Sequence, residues 1–305
     1  MDIQETDFFG RRIAVCGDDF GMNHAVDGAM LQLVDLGRMS AVSCLATGPA
    51  FAAHAAELQR RDVDIGLHLN LTESLCAADG EMPALRTLLV RAWRGQLEPG
   101  WVEGQIARQL DAFEAHMGRA PDYVDGHQHV HQFPGVLQPL LRQLRQRYGL
   151  YRPWLRNTAP GLLAGVPLAD AAKARFIGLL GSRALCAAAQ TEGWRTNRRL
   201  LGVYGLEGGA RAYADRLHCW LFNAADGDLL MCHPALPGRD PMAHARQRAA
   251  EFEVLRNTEL SGWMGANGLA VRRLSQLGAL RDTAESVNFD AVAPAGRLRH
   301  LVSRS

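Results

Sequence analysis

Paired cysteines, membrane-length apolar runs and an excess of charge of either sign are all missing from this chain of 305 residues. The six cysteines, Cys16, Cys44, Cys76, Cys186, Cys219 and Cys232, are scattered and form no C-x-x-C pair. That spacing argues against a zinc knuckle and against a disulfide framework, and reduced, mostly buried thiols are expected. Arg, His or clustered Gly breaks each apolar run before about 18 residues, so no membrane span is expected. The acidic opening, Met1 to Asp7, has no apolar stretch of the secretory kind, and a cytoplasmic location is expected. With a formal charge of +1, the chain has no electrostatic reason to bind nucleic acid or an anionic membrane. A neutral or weakly charged small substrate suits it better.

What is present is a core-sized apolar content, 48% of residues, arranged as short apolar runs alternating with amphipathic stretches. That alternation predicts repeated βα units rather than a bundle or a sandwich. Strands are predicted at Ile13–Cys16, Ala41–Leu45, Ile65–Leu71, Tyr123–His129, near Tyr151–Leu155, at Asp228–Cys232 and near Ala270–Arg272. Helices are predicted between them, including one long stretch from Ala169 to Ala189. Parallel strands with crossover helices close most economically into a barrel, with chemistry at the rim where the strands end. The organisation expected is an N-terminal extension over 1–11, one barrel domain over 12–281, and a tail over 282–305 where periodicity is lost.

Chemistry is concentrated in four segments. Val124-Asp125-Gly126-His127-Gln128-His129-Val130-His131 places three histidines at alternate positions, which share a face if the strand continues through them. Grouped imidazoles are costly to bury unless a charge or an ion organises them, so this run points to a metal site. Asp125, on the same face, is a candidate acceptor that would fix a ring tautomer. Asp18 and Asp19 follow the first strand; a turn or helix cap is the ordinary use of such a pair. The alternative is a division of labour, one aspartate on a metal and the other on water. Asp19-Phe20-Gly21 also spells the kinase metal triplet, but no Gly-rich phosphate loop or H-R-D segment accompanies it. His68 lies in the apolar run Ile65-Gly66-Leu67-His68-Leu69, where a lone histidine is usually a core residue. His233 comes at a strand end before Pro234. A carboxylate and two imidazoles on a divalent ion, beside a second carboxylate, would equip a metal-assisted hydrolase.

Taken together, these segments resemble the YdjC/ChbG-like carbohydrate deacetylase family. The D-D-F-G of Asp18 to Gly21, the G-x-H-x-x-L-T of Gly66 to Thr72, the D-G-H-x-H-x-H of Asp125 to His131 with Phe133-Pro134 after it, and the L-M-x-H-P of Leu230 to Pro234 match in order and spacing. The resemblance covers roughly Arg12 to Leu274. It implies a distorted (β/α) TIM-like barrel that removes acetyl groups from N-acetylated sugars with one divalent ion, Mg²⁺ or Zn²⁺, with Mn²⁺ also compatible. By position, Asp19, His68 and His127 would be ligands, Asp18 the base and His233 the acid, with His129 and His131 on the substrate side. Cys16-Gly17 stands where many relatives have Asn-Ala, and Gln128 replaces a frequent histidine. The expected partner is a small carbohydrate, and a homodimer is compatible with the chain. The rival readings are another barrel metallohydrolase, of amidohydrolase or phosphoesterase type, and a noncatalytic sugar-binding relative.

Overall fold

The computed structural model describes residues 10–238 and 243–276. Eight strands, β1 (Arg11–Phe20), β2 (Ala41–Cys44), β3 (Asp64–Leu69), β4 (Tyr123–Gly126), β5 (Trp154–Leu155), β6 (Leu200–Leu201), β7 (Leu229–Cys232) and β8 (Leu269–Val271), form one sheet among the described residues. Every pairing is parallel, in the order β5-β4-β3-β2-β1-β7-β6, with β8 beside the start of β1. Isolated parallel bridges from Leu155 to Thr196 and from Pro160 to Leu200 join the two edges, so the sheet curls into a distorted barrel. The strands are buried along nearly their whole length, as parallel strands covered by crossover helices must be.

The helices are α1 (His24–Asp35), α2 (Phe51–Gln59), α3 (Leu85–Trp93), α4 (Pro99–Met117), α5 (Leu137–Tyr148), α6 (Leu168–Leu179), α7 (Ser182–Glu192), α8 (Gly209–Asn223), α9 (Ala245–Leu255) and α10 (Thr258–Ala266). Local chemistry sets their ends. The Asn23 side chain accepts from Val26 N at 3.0 Å to cap α1. In α4, Glu98 caps the first turn, Pro99 opens the helix and Gly118 closes it in the left-handed region at φ 62°. The apolar stripe Ile106, Leu110, Phe113 and Met117 of α4 is buried, as its spacing predicts.

Four expectations are corrected. The first strand runs on to Phe20, so Asp18 and Asp19 lie within its last residues rather than after it. The stretch expected as one helix from Ala169 breaks at Gly181, where φ is 147° and a Cβ would come within 2.1 Å of Gln132 O; α6 and α7 result. Helix α10 and the two-residue strand β6 were not anticipated, because β6 is too short to produce a period. The fourth concerns the histidine run and belongs to the site. The tail over 282–305 and residues 1–9 of the extension lie outside the described residues, while Arg11 is already part of β1.

Candidate metal and catalytic centre

The strand carrying Tyr123 to Asp125 stops at Gly126, and His127–Gln132 follow as a 3-10 segment with Gln128 at φ 53° and His129 at φ 62°. The expectation that three histidines share one strand face is therefore wrong. The chain folds back so tightly that a Cβ on Gly126 would sit 2.8 Å from His131 N. As a result the three rings part. His127 turns into the centre, and His131 is fully buried and donates from Nε2 to Arg156 O at 2.9 Å. The buried ring of His129 has no partner at Nδ1 among the described residues.

The ends of β1, β3, β4 and β7 bring the remaining candidates together, at the carboxyl rim where barrel enzymes place their chemistry. The register of β1 against β2 shifts between Gly17 and Phe20, and Asp19 adopts φ 81°. A non-glycine residue held in that region is strained, and here the strain turns adjacent aspartates toward different partners in one interior. Asp19 faces His68 and His127; Asp18 faces Arg156 and His233.

His68 and Asp125 are direct partners in the β3–β4 register, and His68 Nδ1 lies 2.7 Å from Asp125 Oδ1. Asp125 thus orients His68, not the His127 that its place on the chain implied. His127 has its own carboxylate: its Nε2 lies 3.0 Å from Glu73 Oε1. Glu73 is presented by a loop that Asn70 organises, accepting from Thr72 N and Glu73 N at 3.0 Å each while Gln109 brackets the Asn70 backbone. With the outer nitrogens so held, His68 Nε2 and His127 Nδ1 both face Asp19 Oδ1, at 3.5 and 2.9 Å.

This donor set fits a divalent ion. Carboxylate-anchored imidazoles with their second nitrogens converging on a third carboxylate are the usual surroundings of a metal, and the ligand atoms of Asp19, His68 and His127 all lie within 4.8 Å of one another. The electrostatics agree. Burial disfavours a charged imidazole at His68, but Asp125 and Asp18 outweigh it and carry the ring up to about 10. At His127 burial is likewise outweighed, by Asp19 and Glu73, and the ring rises to about 9. The carboxylates of the pocket favour positive charge at both rings, and a bound cation would meet the same carboxylates.

A second cluster lies beside the first. Cys16, Asp18 and Asp125 converge, but the guanidinium of Arg156 fills the space between them. Its Nη1 lies 2.6 Å from Asp18 Oδ2, and its Nη2 lies 2.6 Å from Asp18 Oδ1, 2.5 Å from Asp125 Oδ2, 3.0 Å from Cys16 Sγ and 3.1 Å from Ser43 Oγ. Burial pushes the Asp18 carboxyl up, and Arg156 more than reverses this, holding it below the ordinary carboxylate range. His233 Nε2 is 4.0 Å from Asp18 Oδ2, and burial pushes its ring down to about 4 despite Asp18 and Asp19. Arg248, from α9, reaches Asp19 Oδ2 with Nη2 at 2.5 Å.

All the predicted ligands and both predicted proton carriers thus meet in one place, whereas His131 is drawn off to support the Arg156 backbone. Sequence reasoning missed Arg156, Glu73 and Arg248. A signal existed for the first, a lone arginine in the buried run Trp154-Leu155-Arg156, where an unpaired charge is untenable. Glu73 follows the matched segment directly, while Arg248 lies on an amphipathic helix where arginine is commonplace.

The family model of YdjC-like proteins matches residues 12–266. The chain belongs to the YdjC-like family. It is 29% identical to a carbohydrate deacetylase of Mus musculus, over 88% of this chain and 96% of that protein. It is 28% identical to a carbohydrate deacetylase of Geobacillus stearothermophilus, over 85% and 95%. A chitooligosaccharide deacetylase of Serratia marcescens is 31% identical over 45% of this chain and 57% of its own. Among solved structures, a candidate cellobiose-phosphate cleavage protein of Enterococcus faecalis V583 superimposes with a TM-score of 0.62 at 20% identity, covering 87% of this chain and 97% of its own. That likeness concerns the fold, and it agrees with the single distorted α/β barrel described above.

Proposed function

We propose that this YdjC-like protein is a metal-dependent hydrolase that removes the N-acetyl group from an N-acetylated sugar or oligosaccharide, leaving acetate and a free amine. The observation that carries the reading is the convergence of His68 Nε2 and His127 Nδ1 on Asp19 Oδ1, each ring anchored from behind by its own carboxylate. The sugar class rests on the carbohydrate and chitooligosaccharide deacetylases the chain is similar to.

Asp19, His68 and His127 would hold one divalent ion; two imidazoles suit Zn²⁺, and the carboxylate with open water positions also suits Mg²⁺ or Mn²⁺. Bound there, the ion would polarise the acetyl carbonyl and acidify water. Asp18 is the base, kept ionised and oriented by the Arg156 fork. Its depressed proton affinity makes it a weak base, so it suits water that is already acidified. His233 is neutral at physiological pH because burial pushes it down to about 4, so it can protonate the departing amine only after receiving a proton. The nearest source is Asp18 Oδ2, 4.0 Å from His233 Nε2, once Asp18 has taken the water's proton. Asp125 and Glu73 fix the ring tautomers, and His131 secures the backbone of Arg156, directly after β5.

The test is acetate release from a panel of N-acetylated sugars and chitooligosaccharides, with and without chelator. Release that the chelator abolishes is expected. Release that survives full chelation would point to a metal-independent hydrolase, and no release from any member to a rival function of the same barrel.

A further inference from the structure

Arg248 is buried beside the centre, with a side chain only 6% exposed, and Asp19 Oδ2 is its side-chain ion partner at 2.5 Å. A guanidinium offers five N–H donors in a planar fork. Here Nε and Nη1 are buried and meet no acceptor among the described residues. Nη1 shares its carbon with the Nη2 that touches Asp19, so these donors start within a few ångströms of the carboxylate on which His68 and His127 converge. Buried charged donors without acceptors are costly, and a chain needing only to brace Asp19 could do so with a single donor. The charge also reaches His233 on one side and Glu73 on the other, lowering the proton affinity of both. α9 fixes the placement, since Arg248 O accepts from Ala235 N at 3.1 Å, two residues beyond His233.

We propose that Arg248 is a catalytic residue that contacts the acyl group, its unpaired N–H donors holding the acetyl oxygen as it becomes negative and then the acetate that forms. The inference rests on the deacetylase reading above. In that reaction the water's oxygen bonds to the acetyl carbon and the carbonyl oxygen takes up the displaced electron pair. The C–N bond then breaks as the nitrogen gains a proton. Negative charge appears on the acyl oxygens at both stages, and a forked cation is the side chain best matched to a carboxylate.

The experiment compares Arg248→Met and Arg248→Lys with the ion-loaded wild type, measuring kcat, KM, inhibition by acetate and bound metal per chain, with thermal melts to establish folding. Arg248→Met should lose roughly 10²–10³-fold in kcat, the range seen when a single oxyanion donor is removed, while keeping its metal and losing at least about tenfold in acetate inhibition. Arg248→Lys should keep the metal without restoring the acetate inhibition, because an ammonium cannot present the fork; it decides the matter if the Met variant fails to fold. Loss of metal in step with activity, or acetate inhibition equal to wild type, would overturn the proposal and leave Arg248 as a brace for Asp19. Should the wild type release acetate from no sugar, the deacetylase reading fails separately. Direct titration of sodium acetate into wild type and Arg248→Met then decides the Arg248 assignment, equal affinity overturning it.

Discussion

Replacing Arg156 with Met should destabilise the protein far more than loss of one side chain from the surface would. Arg156 is fully buried, Asp18 is 2% exposed and Asp125 is fully buried, and the guanidinium contacts both carboxylates at 2.5–2.6 Å. Removing the cation leaves two carboxylates buried together with His68 and Ser43, both on Asp125, in partial compensation, and breaking a buried pair from one side costs about 3–5 kcal/mol. At about 2 °C per kcal/mol for a chain of this size, the melting temperature should fall by roughly 6–10 °C. Arg156→Lys should fall between the two, since one ammonium cannot fork across both carboxylates. Scanning calorimetry at pH 7 provides the measurement, and Asp125→Asn supplies the control. Because Asp125 and Arg156 share a network, the single and double losses should fail to add by about 1 kcal/mol or more. A Met variant melting within about 2 °C of wild type would show that the pair is not the compensated core charge described here.

Four further outcomes follow from other parts of the fold. Asp27 accepts from Gly21 N at 2.6 Å, and burial raises its carboxyl to about 7 against that bond. The folded chain therefore holds a proton there that the unfolded chain releases near pH 4, so stability should fall as pH rises from about 4 through 7, by at most about 4 kcal/mol. In Asp27→Asn, which keeps the acceptor, melts between pH 5 and 8 should show this slope reduced; an unchanged slope would remove Asp27 as its source. His68→Ala and His127→Ala should each lose bound metal and activity together by elemental analysis and assay, and full occupancy in either would break the ligand assignment. His233→Ala should suppress turnover by roughly 10²–10⁴-fold with metal affinity retained, and equal loss of both would remove it from proton transfer. Gly126→Ala puts a methyl against His131 N, and it should weaken metal binding by displacing His127, which isothermal titration would detect as a raised Kd.

The barrel was legible because its strands are nearly continuous apolar runs and its helices carry apolar stripes, both of them local signals. The pairing of Asp19 with His68 and His127 was legible only through the matched motifs, since it depends on strands β1, β3 and β4 converging. The divergence of the three histidines was not legible. Alternate spacing describes a strand and a turn equally well, and the turn is decided by left-handed backbone at Gln128 and His129 that no propensity marks strongly. Arg156 and Arg248 escaped for a different reason: Arg156 lies 138 residues from Asp18 and Arg248 lies 229 residues from Asp19 in sequence, and each pair meets only once the barrel has closed.

The central claim is that Asp19, His68 and His127 hold one ion on which acetyl removal depends. Its most direct test is titration of a divalent ion into chelator-stripped protein while acetate release from an N-acetylated oligosaccharide is followed. Activity should rise from baseline and break at one equivalent per chain in the wild type, with no such rise in His127→Ala. Full activity in the stripped wild type, or the same titration curve in His127→Ala, would contradict the account.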